Sequence, residues 1–156
     1  MEEEKTVNEL VGEFPFLDGA VRVPRARRIF VTVPLDRFQS VFRRLVEAKG
    51  FTYLTTITGL DTGETFTLLY HLAAENGVVC TLGTSVPRAN PEIESVSRFF
   101  NGGDIYEREL VDLLGIRVNG LPKGNRYPLP DDWPANQYPL RKDWRPEGAP
   151  AEPAEE

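Results

Sequence analysis

Glu107, Arg108, Glu109 and Asp112 form the densest group of charged side chains in the sequence, inside one predicted helix. Paired carboxylates are common tools of acid–base hydrolysis. Two positions apart on a helix, however, Glu107 and Glu109 diverge by about 200° and cannot flank one bond. Glu107 lies about 100° from Tyr106, within the apolar arc between Leu114 and Val111. A carboxylate there needs a cap or a cation, because an unpaired buried charge is too costly. Two arrangements would satisfy it. One is a capping box between Asp104 and Glu107, with an Arg108–Asp112 pair at i, i+4. The other is an Arg facing Glu107 or Glu109 across an interface.

Other reactive groups are sparse. One Cys and one His exclude an intrachain disulfide and a Cys/His tetrahedral zinc site. They also exclude an iron–sulfur cluster, which needs about four thiolates. Cys80 lies in a strand-like run and is expected as a small buried hydrophobe. His71 is expected half-exposed on a strand. Arg22, Arg25, Arg27 and Arg28 could bind an anion, but edge strands also carry such charges as protection from other chains. Phosphate loops, nucleophile elbows and metal-binding helix motifs are absent from the sequence.

The composition narrows the partners. A net charge of −6 and a pI near 5.0 speak against nucleic acid, which needs a basic face. No apolar run approaches the roughly 20 residues that span a bilayer. The acidic residues 1–5 do not resemble a signal peptide. A single thiol suits a reducing cytosolic setting. With 156 residues, 40% hydrophobic and 27% charged, one domain with tails is expected.

The elements that must hold these groups follow from periodicity. Residues 6–11 are weakly helical, with Thr6 and Glu9 at capping-box spacing. Ile29, Val31 and Val33 alternate as a strand that Pro34 ends. Residues 36–49 give the clearest helix: Phe38, Val41, Phe42 and Leu45 make one stripe, Asp36 caps with Gln39, and Gly50 stops it. Three alternating runs follow, at 51–57, 66–72 and 78–82. Thr62-Gly63 and Asn76-Gly77 between them signal hairpins, so an antiparallel meander is expected. Residues 92–100 are a short element of open type. Residues 104–114 form the helix of the charged cluster, with Gly115 as its stop.

Eight of the 13 prolines lie beyond Gly120, which forbids helix interiors and inner strands there. Yet this stretch holds Tyr127, Trp133, Tyr138, Leu140 and Trp144, more large apolar anchors than a solvated linker carries. The expectation is an α+β domain over 1–120, a mostly antiparallel sheet with helices packed on one face. An extended Pro-rich docking arm over 121–145 and a disordered acidic tail over 146–156 follow it. Residues 127–133 are expected on the chain's own domain and 138–144 on a partner.

Tyr106-Glu107-Arg108-Glu109-Leu110-Val111-Asp112-Leu113-Leu114-Gly115-Ile116 resembles the signature of the 30 kDa subunit family of respiratory complex I, the C subunit of NADH dehydrogenase. Leu60-Asp61, Leu69-Tyr70-His71-Leu72, Val86-Pro87-Arg88 and Leu129-Pro130-Asp131-Asp132-Trp133 are similar to the family in the same order. So is Tyr138-Pro139-Leu140-Arg141-Lys142-Asp143-Trp144. Where the family usually has Gly-His-Pro, this chain has Gly120-Leu121-Pro122, and Ile105 replaces the aromatic residue usual before the Tyr. That variant loop is similar to the related subunit of membrane-bound energy-converting nickel–iron hydrogenases.

The resemblance implies a non-catalytic structural subunit without a cofactor or metal of its own. It implies docking on a large subunit, with a small iron–sulfur subunit in the same complex, on the cytoplasmic side of the membrane and touching it only through the complex. Glu107, Arg108, Glu109, Asp112, Trp133, Tyr138, Leu140, Arg141, Lys142, Asp143 and Trp144 are the expected interface residues. A free-standing binding module using its sheet face is the alternative of a different class.

Overall fold

The computed structural model describes residues 2–148. Its elements, in chain order, are α1 (Glu2–Glu13), a single 3-10 turn (Pro15–Leu17), β1 (Val21–Arg25), β2 (Arg28–Thr32) and α2 (Leu35–Ala48). β3 (Tyr53–Asp61), β4 (Thr65–Ala73), β5 (Val79–Pro87), β6 (Glu92–Glu94), α3 (Asp104–Leu114) and β7 (Arg117–Asn119) follow.

The main sheet has five strands in the order β1-β2-β5-β4-β3. The meander is as expected, with β3–β4 and β4–β5 both antiparallel. The sheet as a whole is mixed, because β2 pairs with β5 in parallel. The cause is α2, which carries the chain back along the sheet after β2. β3 then starts at the far edge in the direction of β2, β4 reverses, and β5 arrives beside β2 pointing the same way. β1 and β2 form a hairpin turning at Arg27, which takes φ +61°.

One face of the sheet makes the core. Phe66, Leu68, Tyr70 and Leu72 of β4 are fully buried, and so are Cys80, Leu82 and Val86 of β5. Phe38 and Phe42 of α2 meet Tyr70 at ring-centroid distances of 4.7 and 5.8 Å. The apolar stripe predicted for this helix is therefore the one that packs. α3 lies over β3, where Leu110 and Leu114 come so close to Gly59 that a Cβ there would meet them at 2.8 and 2.5 Å. α1 is tied to α2 by Arg44–Glu13 and by Lys49 with Glu9 and Glu13, so all three helices share this face.

Helix starts differ from expectation. α2 begins at Leu35 after Pro34 with no side-chain cap; Asp36 pairs with Arg37, and Gln39 donates to the Glu94 carbonyl instead. α1 runs four residues further toward the N-terminus than the Thr6 signal. Its Glu9 binds Lys49 rather than closing a capping box. Of the open element at 92–100 only Glu92–Glu94 is regular: it is β6, which pairs in parallel with β7, and the rest is turn and irregular chain. At three residues each, neither strand shows a readable period.

From Gly120 to Gly148 the chain forms turns and bends without helix or strand. Most of the tail expected over 146–156 lies outside the described residues.

Candidate functional site

α3 is the hub of the candidate site. Its N-cap is Gly103, and no side chain caps it. The predicted capping box does not form. Glu107 turns away from its own helix and is 0% exposed. Its carboxylate accepts from the Val96 amide at 2.6 Å and the Ser95 hydroxyl at 2.7 Å. Burial pushes its pKa above the usual carboxylate range, against those two hydrogen bonds. Glu107 thus clamps the turn after β6 and presents no carboxylate at the surface.

The predicted Arg108–Asp112 pair is also replaced. Arg108 reaches back to Asp104 at 3.4 Å and donates to the Pro122 carbonyl at 2.7 Å. Gly124 packs against that guanidinium, since a Cβ there would meet it at 2.6 Å. Asp112, 6% exposed, receives Arg126 through two nitrogens at 3.2 and 3.3 Å and the Leu129 amide at 3.1 Å. Both members of the expected pair hold the segment after Gly120: Arg108 donates to its Pro122 carbonyl, and Asp112 accepts from its Arg126 guanidinium and Leu129 amide. Glu109 is half-buried, and its side chain makes no hydrogen bond or ion pair among the described residues.

A second anchor lies at the end of β3. The Asp61 side chain is 1% exposed. It accepts from Arg88 at 2.6 Å, the Lys142 amide at 2.9 Å and the Gly63 amide at 3.0 Å. Burial alone would raise its pKa, but the Arg88 guanidinium and the two backbone amides outweigh burial and hold it down at about 2. Arg88 also pairs with Asp143 at 2.6 Å.

Residues 138–144 are fastened by these groups to their own chain. Arg141 donates to the Leu114 carbonyl at 2.7 Å and stacks over Tyr138 and Phe66, 4.5 and 5.3 Å from their ring centroids. The Leu140 amide donates to the Leu113 carbonyl at 3.0 Å. Gly115 allows this approach: it takes φ +72° as the cap of α3, and a Cβ on it would meet Tyr138 at 2.6 Å and Arg141 at 2.7 Å. Trp133 and Trp144 lie 6.0 Å apart and both donate to Gln137, one to its backbone carbonyl and one to its side chain. Leu140 is 54% exposed and Tyr127 45%. Within this chain, the stretch expected to dock on a partner is bound to the domain through backbone groups and Arg141. The sequence offered Asp61 and Arg88 only as separate motif pieces, 27 positions apart.

Cys80 is fully buried and its thiol pKa is raised to about 12, which makes it inert, as expected. His71 is half-buried and bridges Thr58 at 3.1 Å and Thr81 at 3.0 Å; burial lowers its pKa. β1 is an exposed edge strand of the main sheet, and Arg22 and Arg25 lie on it. Among the described residues, no three of His, Cys, Asp and Glu come together as a metal site, and no helix is long and apolar enough to cross a membrane.

Comparison with known proteins places the chain among relatives of one family. Residues 31–150 match the family described as the respiratory-chain NADH dehydrogenase 30 kDa subunit. The chain is 32% identical over 141 residues to the C subunit of the F(420)H(2) dehydrogenase of Methanosarcina mazei, covering 86% of this chain and 89% of that protein. It is 38% identical over 108 residues to the C/D subunit of the NADH-quinone oxidoreductase of Phocaeicola vulgatus; that match takes in 66% of this chain and only 20% of the relative. Among solved structures, a chain of the membrane-bound sulfane sulfur reductase, an archaeal respiratory membrane complex, superposes with a TM-score of 0.82. It is 26% identical, over 93% of this chain and 86% of that one.

Proposed function

The chain belongs to the respiratory-chain NADH dehydrogenase 30 kDa subunit family, and from that premise we propose that it is a non-catalytic structural subunit of a complex I-like oxidoreductase. It docks on the large catalytic subunit in the hydrophilic arm, beside a small iron–sulfur subunit, and supports electron transfer carried out by those neighbours. It carries no cofactor itself. Its place is peripheral, on the cytoplasmic side of the membrane.

The observation that carries this reading is the use of the motif residues. Glu107, Arg108 and Asp112, with Asp61 and Arg88, all bind backbone or side chains of the same polypeptide. They shape and hold a surface rather than a reaction pocket. What that surface displays is Leu140, the Trp133–Trp144 pair, Tyr138, and the outer sides of Lys142 and Asp143. Aromatic anchors with charged neighbours are the usual make-up of an interface hot spot. The relatives serve NADH-quinone oxidoreductase, F(420)H(2) dehydrogenase and sulfane sulfur reductase, so the subunit's role does not depend on one electron donor or acceptor. The C/D relative, of which the match takes in only 20%, supports a position next to the D subunit.

The test is co-purification of the affinity-tagged chain from its source cells, compared with a truncation after Ala135. The core residues all precede that cut, so the truncated domain should fold. It should lose the large subunit, while the full chain retains it. Equal recovery by both, or recovery of the full chain alone, overturns the reading.

A further inference from the structure

The sheet face away from the three helices has an unusual composition. Along β4 the core side is Phe66, Leu68, Tyr70 and Leu72, so Leu69 and His71 point to the other side, half-exposed. The register sets Thr58 and Leu60 of β3, Thr81 of β5 and Phe30 of β2 on that same side. In a chain with 27% charged residues, the strand residues of this face include no Asp, Glu or Lys. Its only full charges are Arg22, Arg25 and Arg28, all at the β1–β2 end. Its polar centre is already satisfied, because His71 is hydrogen-bonded on both ring nitrogens to Thr58 and Thr81. Leu60 is 44% exposed, and at the β1–β2 end a cavity of about 540 Å³ opens between Arg22, Val23, Pro24 and Phe30.

We propose that this helix-free face is a second docking surface, for a segment of a partner subunit that is uncharged over the strands and acidic at the β1–β2 end. The proposal rests on the reading of the chain as one subunit of a larger complex. Interface centres are depleted of charged residues and rimmed by polar ones, and Arg is enriched in interfaces over the rest of the surface; the uncharged strands with Arg22, Arg25 and Arg28 at one end fit that make-up. The extent fits as well: three strands of nine residues and two of five make a face of roughly 600 Å², against about 800 Å² per partner in a standard interface. Charge selects the occupant. Four of the 18 basic residues and none of the 24 acidic ones fall in 21–28, so the rest of the chain carries −10 against this +4. None of these four guanidiniums has a carboxylate within ion-pair distance among the described residues, so their charge is left for a partner; Arg22 only lies over the Phe30 ring, at 6.0 Å from its centroid. Edge protection alone does not require them, since Pro24 already denies β1 a ladder N–H.

The test uses the chain's own chemistry. Cys80 is buried, so Leu60→Cys and Thr67→Cys each place a single accessible thiol on the face. Both variants should react with a maleimide freely in the isolated chain and at least tenfold more slowly in the purified complex. A photo-cross-linker on the same thiol should join a peptide of another subunit. The Arg22→Glu, Arg25→Glu double variant should weaken retention in the complex and flatten its salt dependence. Equal reactivity in both states overturns this surface while leaving the subunit reading intact, as does cross-linking to lipid or to a second copy. A tagged chain that recovers no oxidoreductase subunit overturns both.

Discussion

The domain through Asn119 and the segment after it are held by different physics. In the domain, the helices bury Phe38, Phe42, Leu45, Leu110 and Leu114 against a sheet face whose own side chains are almost wholly removed from water. In the later segment no described apolar side chain reaches that level of burial; Tyr127 and Leu140 are among the most exposed large hydrophobics of the chain. That segment is positioned by carboxylates instead: Asp61 binds the Lys142 amide, and Asp112 binds Arg126 and the Leu129 amide. Apolar burial involves no titrating group, whereas hydrogen-bonded carboxylates titrate and are screened by salt. A chain built this way can keep a stable domain while the segment after Asn119 adjusts.

The largest effects belong to the core. Phe42→Ala removes a ring stacked on Phe38, Tyr70, Phe99 and Phe100 and should cost about 3–5 kcal/mol in urea unfolding. Glu107→Ala comes next, because it strands the buried Val96 amide; about 2–3 kcal/mol of stability should be lost, read as a lower thermal midpoint. The partly exposed Glu109→Ala should cost under about 1 kcal/mol of stability. Equal midpoints for these two variants would remove the distinction drawn here between a structural and a surface carboxylate.

Asp61 sharpens the contrast between the regions. Its pKa is held near 2, below the ordinary 3.8, so its contribution is complete above about pH 4 and disappears as pH falls through about 2. On acidification the Lys142 amide should lose hydrogen-exchange protection before the β4 amides do. Asp61→Asn should expose the same amide at neutral pH, with a loss of about 1–2 kcal/mol or less in global stability. Simultaneous loss of both sets of amides would mean that the two regions are one cooperative unit. The smallest effect belongs to Arg117→Ala, whose exposed pair with Glu92 should be worth under about 1 kcal/mol in the same unfolding assay.

Local periodicity and turn chemistry were enough to read the α2 stripe, the three-strand meander, the stop at Gly115 and the burial of Cys80. Each depends on neighbours a few residues apart, where backbone geometry dictates which side chains share a face. The order of motif pieces was likewise sufficient to place the chain in its family. The partners of the motif residues were not legible. Spacing suggested that Glu107 caps its own helix and that Arg108 binds Asp112, both local solutions. The fold instead takes Glu107 to the turn after β6, Arg108 to Pro122 and Asp112 to Arg126. It joins Asp61 to Lys142 across 81 positions. A buried carboxylate takes whichever donors the packed elements bring within hydrogen-bond reach, and only the tertiary arrangement of α3, β3 and the final segment decides which donors those are.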